Sequence, residues 1–360
     1  MEKITRLTTI YFRRRTWFRL LLIVLILCFW AYIEIADLFP IEDHDLNFQA
    51  LQTIEQRYEK GPISFAFLAD VKNSPVFSDV VRKLNNDQTL QFAIIGGDLV
   101  LYPDRDTFRQ YLDQRRELEI PNLALPGNHD VAFHNMDMYY RIFGRMYYSF
   151  ALGDAKFILL DNSNETRLGD EQEAWLEKEL EDGLRYKYRF VFMHVPLWDP
   201  RDKPGALVRY AHALKDADVA RRLEDLFLRY KVTTLFTSHI HAWYDETIRG
   251  LHTIVSGGAG AELAGNDPEH TVYHYVRVTV GEQKVTAELV KLDKNITYSG
   301  MKKYMHLAGL YLLTFGRIYM TYVLMGFFIL TLAVDGLLEF LYHRKHRRAA
   351  GSEKNKFDDH

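Results

Sequence analysis

The chain has 360 residues and a formal net charge of only −3, with basic ends and a slightly acidic middle. Nothing in those totals offers the basic surface that nucleic acid requires, so no nucleic-acid partner is expected. Cys28 is the single cysteine, which excludes an intrachain disulfide and confines thiolate chemistry to one position inside an apolar run.

Residues 1–16 form a basic tail that includes Arg13, Arg14 and Arg15. Residues 17–36 are apolar apart from Arg19 and Glu34, a run of about 20 residues that is long enough to cross a bilayer core. Arg19 can reach the headgroups by snorkelling. Acidic residues follow the run and basic ones precede it, so the N-terminus is expected in the cytoplasm. No small-residue cleavage site follows, which favours an uncleaved anchor over a signal peptide.

Residues 37–61 form a linker, with an amphipathic helix over Asn47–Lys60 that places Leu51, Ile54 and Tyr58 on one face. A domain over residues 62–293 comes next. Its first half alternates apolar runs with helical patterns: a strand at Ser64–Ala69, a helix at Ser78–Leu84 and a strand at Phe92–Ile95. A helix at Thr107–Leu118, capped by Asp106, then leads to a strand at Leu123–Leu125. Such a β-α-β-α-β unit builds a parallel sheet with right-handed crossovers. A hairpin over 146–160 turns at Gly153-Asp154. The remaining elements are a helix at Glu171–Glu181, a strand at Phe190–Met193, a helix at Asp218–Tyr230 and a strand at Thr234–Thr237. From Thr253 to Leu292 the pattern alternates as antiparallel strands do, with Val276, Val278 and Val280 inward.

Beyond the domain, residues 301–316 read as an interfacial helix. Residues 318–342 read as a second membrane span, and 343–360 as a second basic tail. Asp335 and Glu339 fall in the last turns of that span, where a charge is tolerable beside headgroups or a partner helix. Two spans with both termini cytoplasmic place the domain outside the cytoplasm and make the lipid bilayer a partner.

Five short clusters in the domain carry chemistry: Ala69-Asp70-Val71-Lys72, Gly97-Asp98, Gly127-Asn128-His129-Asp130, His194, and Ser238-His239-Ile240-His241. Each follows a strand pattern, and open α/β sheets hold their sites at the carboxyl ends of strands. Carboxylate, carboxamide and imidazole together suit Mn, Fe or Zn. Taken singly, an Asp after a strand is an ordinary cap and an Asn after Gly an ordinary turn. It is the recurrence, five times along one chain, that points to a shared site. The other histidines, His134, His212, His252, His270 and His274, have no such company and read as surface or packing residues.

The order Asp, Gly-Asp, Gly-Asn-His-Asp, His and Ser-His-x-His resembles the calcineurin-like metallophosphoesterase superfamily, over about Ile63–Leu292. The resemblance implies an α/β fold, a four-layer αββα sandwich of two mixed β-sheets flanked by helices, here with one transmembrane helix at each end. It implies two divalent metal ions (Mn, Fe or Zn) and a phosphate-ester substrate. Asp98 would bridge the ions, with Asp70 and His241 on the first and Asn128, His194 and His239 on the second. His129 would be the general acid or transition-state stabiliser, oriented by a hydrogen bond from its imidazole to Asp130. Gly258, within Ser256–Ala261, would lie where backbone amides face the site, while Trp198, Tyr244 and Asn128 would shape the substrate pocket.

One position departs from the family pattern. Where many members have Asp-x-His, Lys72 stands in place of the histidine, and an ammonium is no metal ligand. Either the first ion has fewer protein ligands, or Lys72 points at the substrate phosphate. The expected function is a membrane-anchored, metal-dependent phosphoesterase acting on a phosphomono- or phosphodiester outside the cytoplasm. The alternative is a catalytically weakened domain that binds a phosphorylated ligand and signals through its transmembrane helices.

Overall fold

The structure, a computed structural model, describes residues 16–32, 35, 41–132, 136–202, 212–265, 267–292, 305, 308, 309, 312, 322–338, 340, 341 and 344. The chain divides into two units, Ile41–Ser299 and a terminal unit of Met1–Pro40 with Gly300–His360.

In the larger unit a helix α1 (Leu46–Arg57) is followed by the alternation β1 (Ile63–Leu68), α2 (Val76–Asn85), β2 (Phe92–Ile95), α3 (Arg105–Arg116) and β3 (Asn122–Ala124). The three strands pair in parallel, as the alternation predicts. A helix α4 (Met136–Phe143) then leads into the hairpin β4 (Tyr148–Leu152) and β5 (Ala155–Leu159). The second half continues with α5 (Asp170–Gly183), β6 (Tyr188–Phe192), α6 (Ala217–Arg229), β7 (Thr234–Thr237), β8 (Trp243–Ile248), β9 (Leu251–Ser256), β10 (His274–Val280) and β11 (Val285–Lys291). One sheet runs in the order β11-β10-β1-β2-β3 and the other β4-β5-β6-β7-β9-β8, and both are mixed.

Strand alternation builds the layers. On β1, Phe65 and Phe67 join a core with Phe157, Phe190, Phe192 and Phe236 of the other sheet. Ala66 and Leu68, the intervening residues, instead pack under α2 and α3 against Phe77, Val80, Phe108 and Tyr111. In the second sheet Ile158, Val191 and Leu235 turn outward to Leu176, Leu180, Leu223 and Phe227 of α5 and α6. Three apolar seams thus separate helices, sheet, sheet and helices. The central seam is locked by ring contacts such as Phe65–Phe92 (5.4 Å) and Phe192–Phe236 (4.8 Å between centroids).

Three local expectations change. The α3 cap is Asp104, whose side chain accepts from the Thr107 N–H at 2.8 Å, and Asp106 lies inside the first turn. The α4 helix and the edge strand β8 lie in stretches not assigned to elements from the sequence. As expected, Val276, Val278 and Val280 are buried while Arg277 and Thr279 are not.

In the terminal unit, residues 16–32 and 322–338 are helical. Among the described residues no helix is long and apolar enough to cross a membrane. The Arg19 guanidinium makes hydrogen bonds to the Asp335 carboxylate at 2.9 and 2.5 Å. Cys28 is exposed. The expectations for Glu339 and for most of the interfacial helix 301–316 lie outside the described residues, as do both basic tails apart from Thr16 and Arg344.

Candidate metal centre

Every residue of the five clusters sits just past a strand, so the two sheets bring them to one end of the sandwich. Asp70 follows β1, Asp98 follows β2, Asn128 and His129 follow β3, His194 follows β6, and His239 and His241 follow β7. The loops that hold them are fastened to one another by backbone hydrogen bonds. Asp70 N–H donates to the Gly97 carbonyl at 3.1 Å, and Lys72 N–H to the Asp98 carbonyl at 3.0 Å. Ser238 N–H reaches the His194 carbonyl at 2.9 Å. Asp70, Asp98 and His239 all hold left-handed backbone, with φ of 62°, 54° and 65°. Non-glycine residues in that region cost about 1–3 kcal/mol each, a strain that clusters at functional sites.

Two convergent groups result: Asp98, His194 and His239, and Asp70, Asp98 and His241. In the first, His194 Nε2 lies 3.3 Å from Asp98 Oδ1, 3.1 Å from Asn128 Oδ1 and 3.3 Å from His239 Nδ1. His194 Nδ1 lies 2.8 Å from the Gly96 carbonyl and donates to it, which leaves the Nε2 lone pair facing the centre. Four atoms that can each offer a lone pair therefore face one small space, an arrangement that repels itself unless a proton or a cation sits among them. The donor set fits a divalent metal ion.

The second group differs. Asp70 Oδ1 is buried without a hydrogen-bond partner and lies 3.4 Å from His241 Nε2. The Lys72 Nζ stands 3.2 Å from that same imidazole nitrogen and 3.2 Å from Asp98 Oδ2. The lysine thus reaches into the ligand set of the first ion, a space that does not fit a metal ion while the ammonium is there.

The charges support one another. Burial works against ionised Asp98, yet His194 and Lys72 hold its carboxyl well below the usual range. Burial also opposes ionised Asp70, which is lowered nonetheless by His241. His194 would lose its charge to burial, but Asp98 outweighs that and holds it at about 9. Burial, and then the charge of His194, push His239 down to about 3. Without a metal, the proton in the first group therefore resides on His194, and metal binding must release it.

Asp130 does not orient His129. Its carboxylate accepts from three backbone groups, Leu99 N–H at 2.8 Å, Val100 N–H at 3.1 Å and Gly127 N–H at 2.8 Å. It is the strut between the β2 and β3 loops. Burial, and then Asp98, push its carboxyl up to about 7, against the three donors that favour the anion. His129 is held instead by the Leu101 carbonyl, 2.8 Å from Nδ1, and its Nε2 lies 4.0 Å from Asp98 Oδ2. The adjacent N–H of His129 donates to Asp98 Oδ1 at 3.0 Å.

The substrate-pocket expectations divide. The amides of Gly257, Ala259 and Ala261 donate to the carbonyls of Ala242, Ala69 and Asp70, so none is presented to a substrate. Gly258 is a packing position, where a Cβ would stand 2.1 Å from His274 Nδ1. Trp198 gives its indole N–H to Glu224 at 2.9 Å and lies under Arg249, contacts that belong to the α6 side of the sandwich. Tyr244 stacks on His270 with centroids 4.2 Å apart.

Several residues that are not themselves ligands support the centre. Asn162 Oδ1 accepts from the N–H groups of His194 and Val195 at 3.0 and 3.1 Å. Ser238 Oγ donates to the Gly96 carbonyl at 2.7 Å and touches His194 Nδ1 at 3.0 Å. Gly127 lies so close to Asp98 that a Cβ would meet its Oδ1 at 2.3 Å, and a Cβ at Gly257 would meet Asp70 Oδ2 at 2.6 Å. Ser238 and Gly127 stand next to ligands within their clusters, which was the signal available for them; Asn162 and Gly257 carry none.

The sequence model of the calcineurin-like phosphoesterase family matches residues 63–243, which takes in every one of these ligands. The chain belongs to that family. It is 28% identical over 234 residues to the bovine (Bos taurus) serine/threonine-protein phosphatase CPPED1, covering 59% of this chain and 71% of that protein. Among solved structures it is similar to the purple acid phosphatase PPD1 of yellow lupin (Lupinus luteus), with a TM-score of 0.54 and 16% identity. That match covers 67% of this chain but only 53% of the lupin chain, so about half of the lupin enzyme has a counterpart here. A further similar structure is GAP50, the anchor in the inner membrane complex of Plasmodium, at a TM-score of 0.48 and 12% identity, covering 70% and 95% of the two chains. This phosphoesterase is accordingly a hydrolase of phosphoric ester bonds, with Asp and His groups able to hold metal.

Proposed function

We propose that the chain is a membrane-anchored, metal-dependent phosphoesterase that hydrolyses a phosphomono- or phosphodiester outside the cytoplasm. The observation that carries the catalytic part is the convergence of Asp98, Asn128, His194 and His239 with their lone pairs inward. Those four residues would hold a divalent ion. When bound, such an ion supplies a water of lowered pKa and neutralises charge on the phosphoryl oxygens.

The protein's own groups do the rest. Asp98 and Asp70 are each pinned through one oxygen, by His129 N–H and His239 N–H, which fixes the direction of the other. With Nδ1 donating to the Leu101 carbonyl, His129 turns Nε2 toward the centre and is placed to give a proton to the departing alkoxide. Lys72 adds a fixed positive charge on the same side as Asp98 Oδ2.

Membrane attachment is supported by the apolar runs 17–36 and 318–342 with their basic flanks, and by the apolar residues exposed along both terminal helices, such as Trp17, Leu21, Phe327 and Leu337. The basic flanks favour cytoplasmic termini and an extracytoplasmic domain. The second reading, a weakened phospho-ligand sensor, draws on Lys72 standing among the ligands.

The test is to purify the full chain in detergent and assay aryl phosphomonoesters, aryl phosphodiesters, phosphopeptides and lipid phosphates with added manganese or zinc. Metal-dependent turnover of any of these supports the enzyme. Tight binding of phosphorylated ligands without turnover supports the sensor. Recovery of the chain in the membrane fraction after alkaline carbonate washing supports the anchor, and release into the wash would remove it.

A further inference from the structure

We propose that the Lys72 ammonium takes the place of one of the family's two metal ions, so that this phosphoesterase works with a single exchangeable ion beside a built-in organic cation. The inference rests on the reading of Asp98, Asn128, His194 and His239 as a metal site.

Geometry carries it. Lys72 is nine-tenths buried as a side chain, and its left-handed backbone, φ 46° between Asp70 at 62° and Asn73 at 55°, folds the loop back on itself. The turn is held by the Lys72 N–H on the Asp98 carbonyl, 3.0 Å, and by Asn73 Oδ1, which accepts from Leu101 N–H at 2.9 Å. Nζ is thereby delivered 3.2 Å from Asp98 Oδ2 and 3.2 Å from His241 Nε2.

Both contacts are made with atoms that would otherwise bind metal. His241 Nδ1 donates to the Glu262 carbonyl at 2.6 Å, which leaves the Nε2 lone pair to accept from the ammonium. Asp98 divides its two oxygens. Oδ1 faces His194 Nε2 at 3.3 Å and Oδ2 faces Lys72, so the carboxylate bridges a metal site and a lysine instead of two metals. A divalent ion bound to Asp98 Oδ2 and His241 Nε2 at roughly 2.0–2.2 Å would fall within the space the ammonium fills. An ammonium has three N–H donors and no lone pair, so it can replace such an ion but cannot join its ligands. With Asp70 Oδ1 also turned into this space, the lysine sits between two carboxylates that need a cation.

The test counts ions. Full-length chain is stripped with a chelator, reloaded with manganese(II), freed of excess metal, and measured by elemental analysis, calorimetric titration and electron paramagnetic resonance. The expected result is one ion per chain, with the spectrum of an isolated manganese(II) ion. Lys72→His, which restores an imidazole, is expected to bind two ions per chain and show an exchange-coupled pair. Lys72→Met, similar in length but uncharged, checks that the wild-type count reflects the ammonium; it is expected to admit a second, weaker ion where the wild type admits none. Two ions on the wild type would overturn the inference while leaving the metalloenzyme reading intact, and so would a folded Lys72→His chain that stays at one. No ion on the wild type would overturn the metal site itself, and this inference with it.

Discussion

Asp98 Oδ1 and His194 Nε2 stand 3.3 Å apart although they arrive from different sheets, Asp98 beyond β2 and His194 beyond β6. The site is therefore assembled by the packing of one sheet on the other. The aromatic seam of Phe65, Phe67, Phe192 and Phe236 sets that packing just below the ligands. A change of a few tenths of an ångström between the sheets would pass directly into the metal-binding distances.

Asp98→Asn keeps the size of the side chain, and asparagine tolerates the left-handed backbone at this position. The carboxamide oxygen of the variant can still accept from His129 N–H, so the fold is expected to survive. Turnover of an aryl phosphodiester is expected to fall below detection, because the anionic group facing His194 and Lys72 is gone. Steady-state assays beside circular dichroism check both halves; retained turnover contradicts the assignment of Asp98.

Gly127→Ala and Gly257→Ala address the close approach of backbone to ligand. Each added Cβ meets a ligand carboxylate, Asp98 Oδ1 at 2.3 Å or Asp70 Oδ2 at 2.6 Å, together with rigid backbone. Overpacking of this kind costs about 1–3 kcal/mol. The expected outcome is a lower melting temperature and, for Gly127→Ala, a larger loss of metal affinity, since Asp98 belongs to the group that fits an ion. Calorimetric titration with manganese measures it.

Ser238→Ala removes the hydroxyl that bonds the Gly96 carbonyl and steadies His194. Supporting partners of metal-binding histidines are worth roughly 10–100-fold in metal affinity. Affinity is expected to fall within that range with stability lowered by about 1 kcal/mol. An unchanged metal affinity would show that the Gly96 carbonyl alone suffices to orient the imidazole.

His274 supplies a pH-dependent term away from the ligands. Burial pushes this imidazole down to about 4, against the Val272 carbonyl, which accepts from Nδ1 and favours the protonated form; Nε2 lies 3.0 Å from the Ser256 hydroxyl. Its folded value lies below the unfolded 6.5, so its contribution is complete above pH 6.5 and is lost as pH falls toward 4. The loss amounts to on the order of 3 kcal/mol. The midpoint of denaturant melts is expected to fall with acidity across that window in the wild type and to fall less in His274→Gln.

The strand ends and their ligands are legible in the sequence because most ligands follow closely on a short apolar run, as after Phe65–Ala69 or Phe92–Ile95. The β1–β3 unit is legible for the same reason, since periodicity shifts cleanly between strand and helix. Asp130 misleads because adjacency to His129 suggests contact, whereas neighbouring side chains point apart and its carboxylate turns to the Leu99, Val100 and Gly127 amides. Trp198 and Gly258 suggest the pocket by position alone, and their partners, Glu224 and His274, lie far away in sequence. β8 escapes a pattern reading because an edge strand needs few apolar residues: Asp245 and Glu246 face solvent, which also guards the edge against pairing. The placement of Lys72 depends on three left-handed residues in one loop, which composition does not reveal.

The most direct test of the account is hydrolysis of an aryl phosphate ester by the purified full chain before chelation, after chelation, and after return of manganese or zinc. The account predicts turnover that disappears with the metal, returns with it, and is absent from His194→Ala under every condition. Turnover that is indifferent to the chelator, or that persists in His194→Ala, would contradict it.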